Sequence, residues 1–156
     1  MTESLYQEIL LDHYRNPVGK GLREPYEAEV HHINPTCGDE ITLRVHLSGS
    51  GDEARVVDIS YDNQGCSISQ ASASVLHELL TDHTVADDLH THEQFLALMQ
   101  SATEEPAEPD EESLGDAVAF SGVAQYPARI KCALLSWMAW KDAVAQALVA
   151  GARGGV

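Results

Sequence analysis

Strict alternation of apolar and polar residues, in two stretches joined by a glycine-rich turn, restricts this 156-residue chain more than any other feature. Ile41, Leu43, Val45 and Leu47 alternate with polar neighbours, and Val57, Ile59 and Tyr61 repeat the pattern after Ser48-Gly49-Ser50-Gly51-Asp52. A period of two puts each apolar set on one face of a sheet, and the short turn makes the two strands antiparallel neighbours. Tyr26 to Ile33 also reads as extended. Three strands with short connections predict an antiparallel meander, in which the first and third strands end at the same edge.

The rest of the chain carries helical spacing. Leu5, Tyr6, Ile9, Leu10 and Tyr14 predict a first amphipathic helix over Ser4 to Tyr14, with Ser4 as N-cap and Asn16-Pro17 as its stop. Ser67 to Leu80 reads as a helix whose small residues Ala71, Ala73 and Ser74 permit close packing beneath the sheet, and a further helical segment falls near Glu93 to Met99. Tyr126-Pro127 opens the longest helix, to about Val149, because proline suits a first helical turn. The predicted fold is α+β: a three-stranded antiparallel sheet with helices packed on one face. With 44% apolar residues, one domain over 1–149 can bury a sizeable core. The acidic, proline-containing stretch from about 103 to 116 is expected to be a mobile, solvated loop, and 150–156 a flexible tail.

The three cysteines lie in turn-forming or helix-opening settings: Pro35-Thr36-Cys37-Gly38-Asp39, Gln64-Gly65-Cys66-Ser67 and Ala128-Arg129-Ile130-Lys131-Cys132. In the meander, Cys37 follows the first strand and Cys66 the third, so the two sulfurs meet at one sheet edge. Cys132 falls in the first two turns of the last helix, where the dipole, Arg129 and Lys131 favour a thiolate. Three thiolates and Asp39 form a complete tetrahedral donor set, which repels itself unless a cation neutralises it; zinc suits it. The competing reading is three unrelated buried cysteines, since no CxxC pair is present.

An odd cysteine count argues against a disulfide framework. The opening Met1-Thr2-Glu3-Ser4 has no leader-like pattern and no apolar run approaches the roughly 18 residues of a membrane span, so a soluble cytoplasmic protein without a membrane partner is expected. The formal charge of −16, from 25 acidic and 9 basic residues, sets the chain against nucleic acid.

Four segments together are recognisable: Tyr6-Gln7-Glu8-Ile9-Leu10-Leu11-Asp12-His13-Tyr14-Arg15-Asn16-Pro17, Asn34-Pro35-Thr36-Cys37-Gly38-Asp39, Gly65-Cys66-Ser67-Ile68-Ser69-Gln70-Ala71-Ser72 and Tyr126-Pro127-Ala128-Arg129-Ile130-Lys131-Cys132. They resemble the IscU-like superfamily of iron–sulfur cluster assembly proteins, and within it the SufU branch. Scaffold members of that superfamily carry a histidine just before the third cysteine, where this chain has Lys131. The gap from Cys66 to Cys132 is longer than in scaffolds, and their Leu-Pro-Pro-Val-Lys motif is absent.

The resemblance implies zinc bound by Cys37, Asp39, Cys66 and Cys132, docking on a pyridoxal-phosphate cysteine desulfurase of the SufS type, and acceptance of its persulfide sulfur for downstream iron–sulfur assembly proteins. A desulfurase histidine would replace Cys37 on zinc and leave Cys37 as the nucleophile and sulfur acceptor of a sulfurtransferase-like relay. Gly38 would give the Cys37 loop its freedom, Asp39 would be the exchangeable ligand, and Arg129 would contact the desulfurase, shield the site or serve as an ordinary surface charge. Two alternatives remain: a scaffold holding transient iron or a [2Fe–2S] cluster, and a desulfurase activator with a purely structural zinc.

Other candidates carry less. His31 and His32 alternate in a strand and point to opposite faces, so both cannot bind one ion. His77, His83, His90 and His92 read as surface residues, and His13 as a packing or capping group. Trp137 and Trp140 share a helix face and read as core. Ser67 and Ser69 lack the partners that nucleophilic catalysis requires.

Overall fold

The computed structural model describes residues 2–36, 38–100 and 114–154, leaving aside the side chains of residues 2, 3, 52 and 151–154. Strands β1 (Ala28–Asn34), β2 (Asp39–Ser48) and β3 (Arg55–Gln64) form one antiparallel sheet in the order β1-β2-β3. Helices α1 (Thr2–Arg15), α2 (Ser67–Leu80), α3 (Val85–Gln100) and α4 (Pro127–Gly154), with a 3₁₀ segment over Gly115–Gln125, complete the α+β architecture. Helix α4 packs across β1 and β2, and α2 lies against β3, so the helices cover one sheet face. Among the described residues, no helix is long and apolar enough to cross a membrane.

The alternation in β2 works as its spacing predicts: Ile41, Leu43 and Val45 are buried beneath the helices. Strand β3 departs from its expected phase at one end. Leu47 pairs with Val56 while His46 pairs with Asp58, which leaves Val57 as the extra residue of a β-bulge. Val56 is therefore buried and Val57 is 53% exposed, while Ile59 and Tyr61 keep the inward phase.

Close helix packing follows from small residues. Ala71, Ser72, Ala73 and Ser74 are buried along α2, and Ser72 Oγ donates to the Ala133 carbonyl of α4 (2.6 Å) while accepting from Trp137 Nε1 (3.0 Å). Trp137 and Trp140 are fully buried, and Trp137 stacks on Phe95 of α3 with centroids 4.2 Å apart.

The helices are longer than their periodic cores. Helix α1 begins at Thr2, so Ser4 lies inside it rather than capping it. Helix α3 begins at Val85, with the Asp87 N–H donating to Thr84 Oγ1 (3.2 Å), and so reaches well ahead of Glu93. Helix α4 continues to Gly154, past Val149 and through most of the stretch expected to be a tail. Of the acidic stretch 103–116, residues 103–113 lie outside the described residues. Its end differs from a solvated loop: Leu114, its one large apolar side chain, is 1% exposed, and Asp116 pairs with His13.

His13 is buried and uses both ring nitrogens, with Nδ1 2.7 Å from Ser74 Oγ of α2 and Nε2 2.9 Å from Asp116 Oδ2. One side chain of α1 thus ties together α2 and the start of the 3₁₀ segment. His13→Ala is expected to lower the unfolding free energy by about 1–2 kcal/mol, since Ser74 and Asp116 both lose a partner. Denaturant midpoints of the two proteins check this.

Candidate metal centre

The β1–β2 connection and the β3–α2 junction meet at the same end of the sheet, as the meander requires. Asn34 is the partner of Asp39 on the last rung of the β1–β2 ladder, and Glu40 pairs with Gln64. The Gly38 N–H donates to the Asn34 carbonyl (2.9 Å), and Gly38 adopts φ +71°, which glycine takes without strain. Cys37 lies outside the described residues.

Three donors from three elements converge here. Asp39 Oδ, Cys66 Sγ and Cys132 Sγ all lie within 4.8 Å of one another. Asp39 opens β2 and is fully buried; Cys66 is partly exposed and caps the N-terminus of α2; Cys132 sits in the second turn of α4 and is 1% exposed. The Cys66 N–H donates to Asp39 Oδ1 (2.9 Å), and Cys66 Sγ lies 3.8 Å from Asp39 Oδ2. The Ser69 N–H points at Cys66 Sγ (3.5 Å), while Cys132 Sγ lies 3.8 Å from the Ala128 carbonyl one turn earlier.

This arrangement fits a metal ion on its own chemistry. A fully buried carboxylate normally requires a cation, and among the described residues Asp39 has no ion pair with lysine, arginine or histidine. Metal–ligand bonds of about 2.0–2.3 Å let one ion reach all three donors with little side-chain movement. Two sulfurs with one oxygen select zinc or iron over calcium or magnesium.

Arg129 and Lys131 flank Cys132 on α4; both are solvent-exposed and neither makes an ion pair among the described residues. His31 and His32 separate to opposite faces. His31 hydrogen-bonds Thr42 on the open face and His32 reaches Asp142 of α4 (2.8 Å), so neither joins the cluster. His77 binds the Ile59 carbonyl and His92 the Trp137 carbonyl, the latter fully buried rather than on the surface. A second grouping, His13 with Glu78 and Asp116, brings donor atoms equally close, but both ring nitrogens of His13 already have partners in the clamp described above.

Two features escaped the sequence reading. Gly65 is required by close approach: at φ +141° its missing side chain leaves the space that the Asp39 carboxylate fills. The glycine beside Cys66 was a visible signal, but the residue it accommodates was not. Asn34 and Asn63, both buried, flank the same corner; Asn34 belongs to the Cys37 motif, whereas nothing local distinguishes Asn63.

An α+β domain that gathers a buried carboxylate and two cysteine sulfurs at one sheet end offers a cysteine–aspartate donor set that could hold a metal ion. The NifU-like N terminal domain family matches residues 5–133 of the chain. The zinc-dependent sulfurtransferase SufU of Bacillus subtilis is 38% identical over 145 residues, covering 92% of each chain. The iron–sulfur cluster assembly scaffold protein IscU of Streptococcus pyogenes serotype M1 is 36% identical over 140 residues, covering 90% of this chain and 82% of that one. In three dimensions the chain superimposes on the crystal structure of a SufU assigned to iron–sulfur cluster assembly in Fervidobacterium islandicum AW-1, with TM-score 0.78, 30% identity and coverage of 90% and 97%. The chain belongs to the NifU-like N-terminal domain family of iron–sulfur cluster assembly proteins, and within it to the SufU branch.

Proposed function

We propose that this chain, as one domain over 1–149, is a zinc-dependent sulfurtransferase that takes persulfide sulfur from a cysteine desulfurase of the SufS type for iron–sulfur cluster assembly in the cytoplasm. The observation that carries the reading is the convergence of Asp39, Cys66 and Cys132 within 4.8 Å. Cys37, two residues before Asp39, would complete a three-sulfur, one-oxygen set. Bound zinc would hold the sulfurs as thiolates at neutral pH without redox chemistry of its own.

The chain's residues divide the work. Cys66 and Cys132 come from the ends of two helices anchored in the core and would retain the metal. Asp39 is the hard ligand, held in place by the Cys66 N–H. Gly38 supplies left-handed backbone beside Cys37. The Cys37 thiolate would attack the outer sulfur of the donor persulfide; that S–S bond breaks as the new one forms on Cys37, and the donor cysteine leaves as its thiolate. Sulfur moves with no net oxidation. Arg129 and Lys131 place positive charge beside Cys132 on an otherwise acidic protein, suited to an acidic patch on the desulfurase.

A second reading, a scaffold for a [2Fe–2S] cluster, draws on the same ligands and on the relatives that are named as scaffolds. Metal analysis and an absorbance spectrum of protein purified anaerobically, followed by desulfurase turnover with wild type and Cys37→Ala, separate the readings. The relay predicts one equivalent of zinc, no visible chromophore, and stimulation that Cys37→Ala abolishes. Brown protein with iron and acid-labile sulfide would favour the scaffold. Stimulation retained by zinc-loaded Cys37→Ala would reduce the protein to an activator with a structural zinc.

A further inference from the structure

Three buried amide atoms at the metal end of the sheet have no hydrogen-bond partner among the described residues: Asn34 Nδ2, and both Nδ2 and Oδ1 of Asn63. Unpaired buried amides are costly and uncommon, so two in one corner call for a cause. Asn34 stands directly opposite Asp39 on β1. Asn63 stands opposite Ile41 on β3, which places it diagonal to Asp39 on the other side. Directly opposed residues share a face with Cβ atoms about 5 Å apart, and diagonal neighbours are about 7–8 Å apart. The two amides therefore flank Asp39, one from each neighbouring strand.

The acceptors at this corner depend on the state of the site. With Asp39 turned to the Cys66 N–H and Cys66 Sγ, neither side-chain Nδ2 group has a partner among the described residues. Carboxylate and thiolates are acceptors only, so a donor set gathered on a cation offers lone pairs that N–H groups can fill. Resting on the metal-binding reading above, we propose that Asn34 and Asn63 are positioning residues for the metal: their N–H groups hold the non-coordinating oxygen of Asp39 and an adjacent sulfur once the ion is bound. They would keep Asp39 bound through one oxygen and hence exchangeable.

The test uses Asn34→Leu and Asn63→Leu, which keep side-chain volume and remove the amide, with Asn34→Ser and Asn63→Ser as substitutes where a leucine variant does not fold. Two quantities are measured on the reduced full chain: thermal unfolding without metal, and zinc affinity by chelator competition with the cobalt(II) absorption spectrum as a reporter of ligand geometry. The proposal expects metal-free variants at least as stable as wild type, because an unpaired amide has been removed. It also expects zinc bound 10–100-fold more weakly and altered cobalt ligand-field bands. Unchanged zinc affinity and cobalt spectra beside a wild type that binds normally would overturn it, leaving the amides to ordinary buried water. A wild-type chain that gives no cobalt–thiolate absorption would overturn the metal reading itself, and the proposal with it.

Discussion

Gly65→Ala should lower the unfolding free energy by about 2–4 kcal/mol and weaken zinc binding at least about 10-fold, although residue 65 offers no ligand atom. A Cβ at this position would overlap Asp39 Oδ1, lie 2.8 Å from Asp39 Cγ and come within 3.0 Å of the Asp39 Cα. The carboxylate can rotate away, but then it leaves the Cys66 N–H and the two sulfurs it now faces. The backbone contact and the φ of +141° cannot be relieved by rotation. A double-mutant cycle isolates the collision. In an Asp39→Ala background the same Gly65→Ala change should cost at least about 1 kcal/mol less, because Oδ1 and Cγ are gone. Equal costs in both backgrounds would show that backbone conformation alone demands the glycine.

The sheet and the sulfurs were legible in the sequence because their signals are local or follow from topology. Period two in Ile41 to Leu47 defined β2, and a meander necessarily returns the end of β3 to the end of β1, which is how the Cys37 and Cys66 segments were brought to one corner in advance; of that corner the described residues place Asp39 beside Cys66. Helix α2 ran as read, from Ser67 to Leu80. What escaped depends on distant partners. The bulge that turns Val57 outward is a mismatch between two strands and has no trace in either alone. Leu114 and Asp116 read as loop because their anchors, the core and His13, are far away in sequence. His92 looked like a surface residue on a polar helix until α4 covered it. Asn63 gains meaning only from its position diagonal to Asp39.

The other large effect is expected away from the metal end, where Asp88→Asn should stabilise the protein at pH 7 by on the order of 2–4 kcal/mol. Asp88 is 1% exposed on α3, its Oδ2 has no partner among the described residues, and burial together with the neighbouring Asp87 pushes its pKa up to about 8. The unfolded chain releases this proton near pH 4 while the folded protein keeps it to about pH 8. Across that window the unfolded state binds fewer protons, so stability falls as pH rises, by up to about 1.4 kcal/mol per pH unit. An asparagine has no proton to lose and removes the slope, so the gain should be small at pH 4 and largest at pH 8. His92, one turn later on α3, acts in the opposite sense. Burial lowers its pKa, so below its unfolded value of about 6.5 the unfolded chain binds the extra proton and stability falls on acidification. Asp88→Asn should leave that acid limb in place and flatten only the decline toward pH 8. Urea unfolding of both proteins at pH 5, 7 and 8 decides the matter. A stability difference independent of pH, or a variant less stable than wild type at pH 8, would mean that Asp88 is ionised in the folded protein and satisfied by solvent or by the N-terminal dipole of α3.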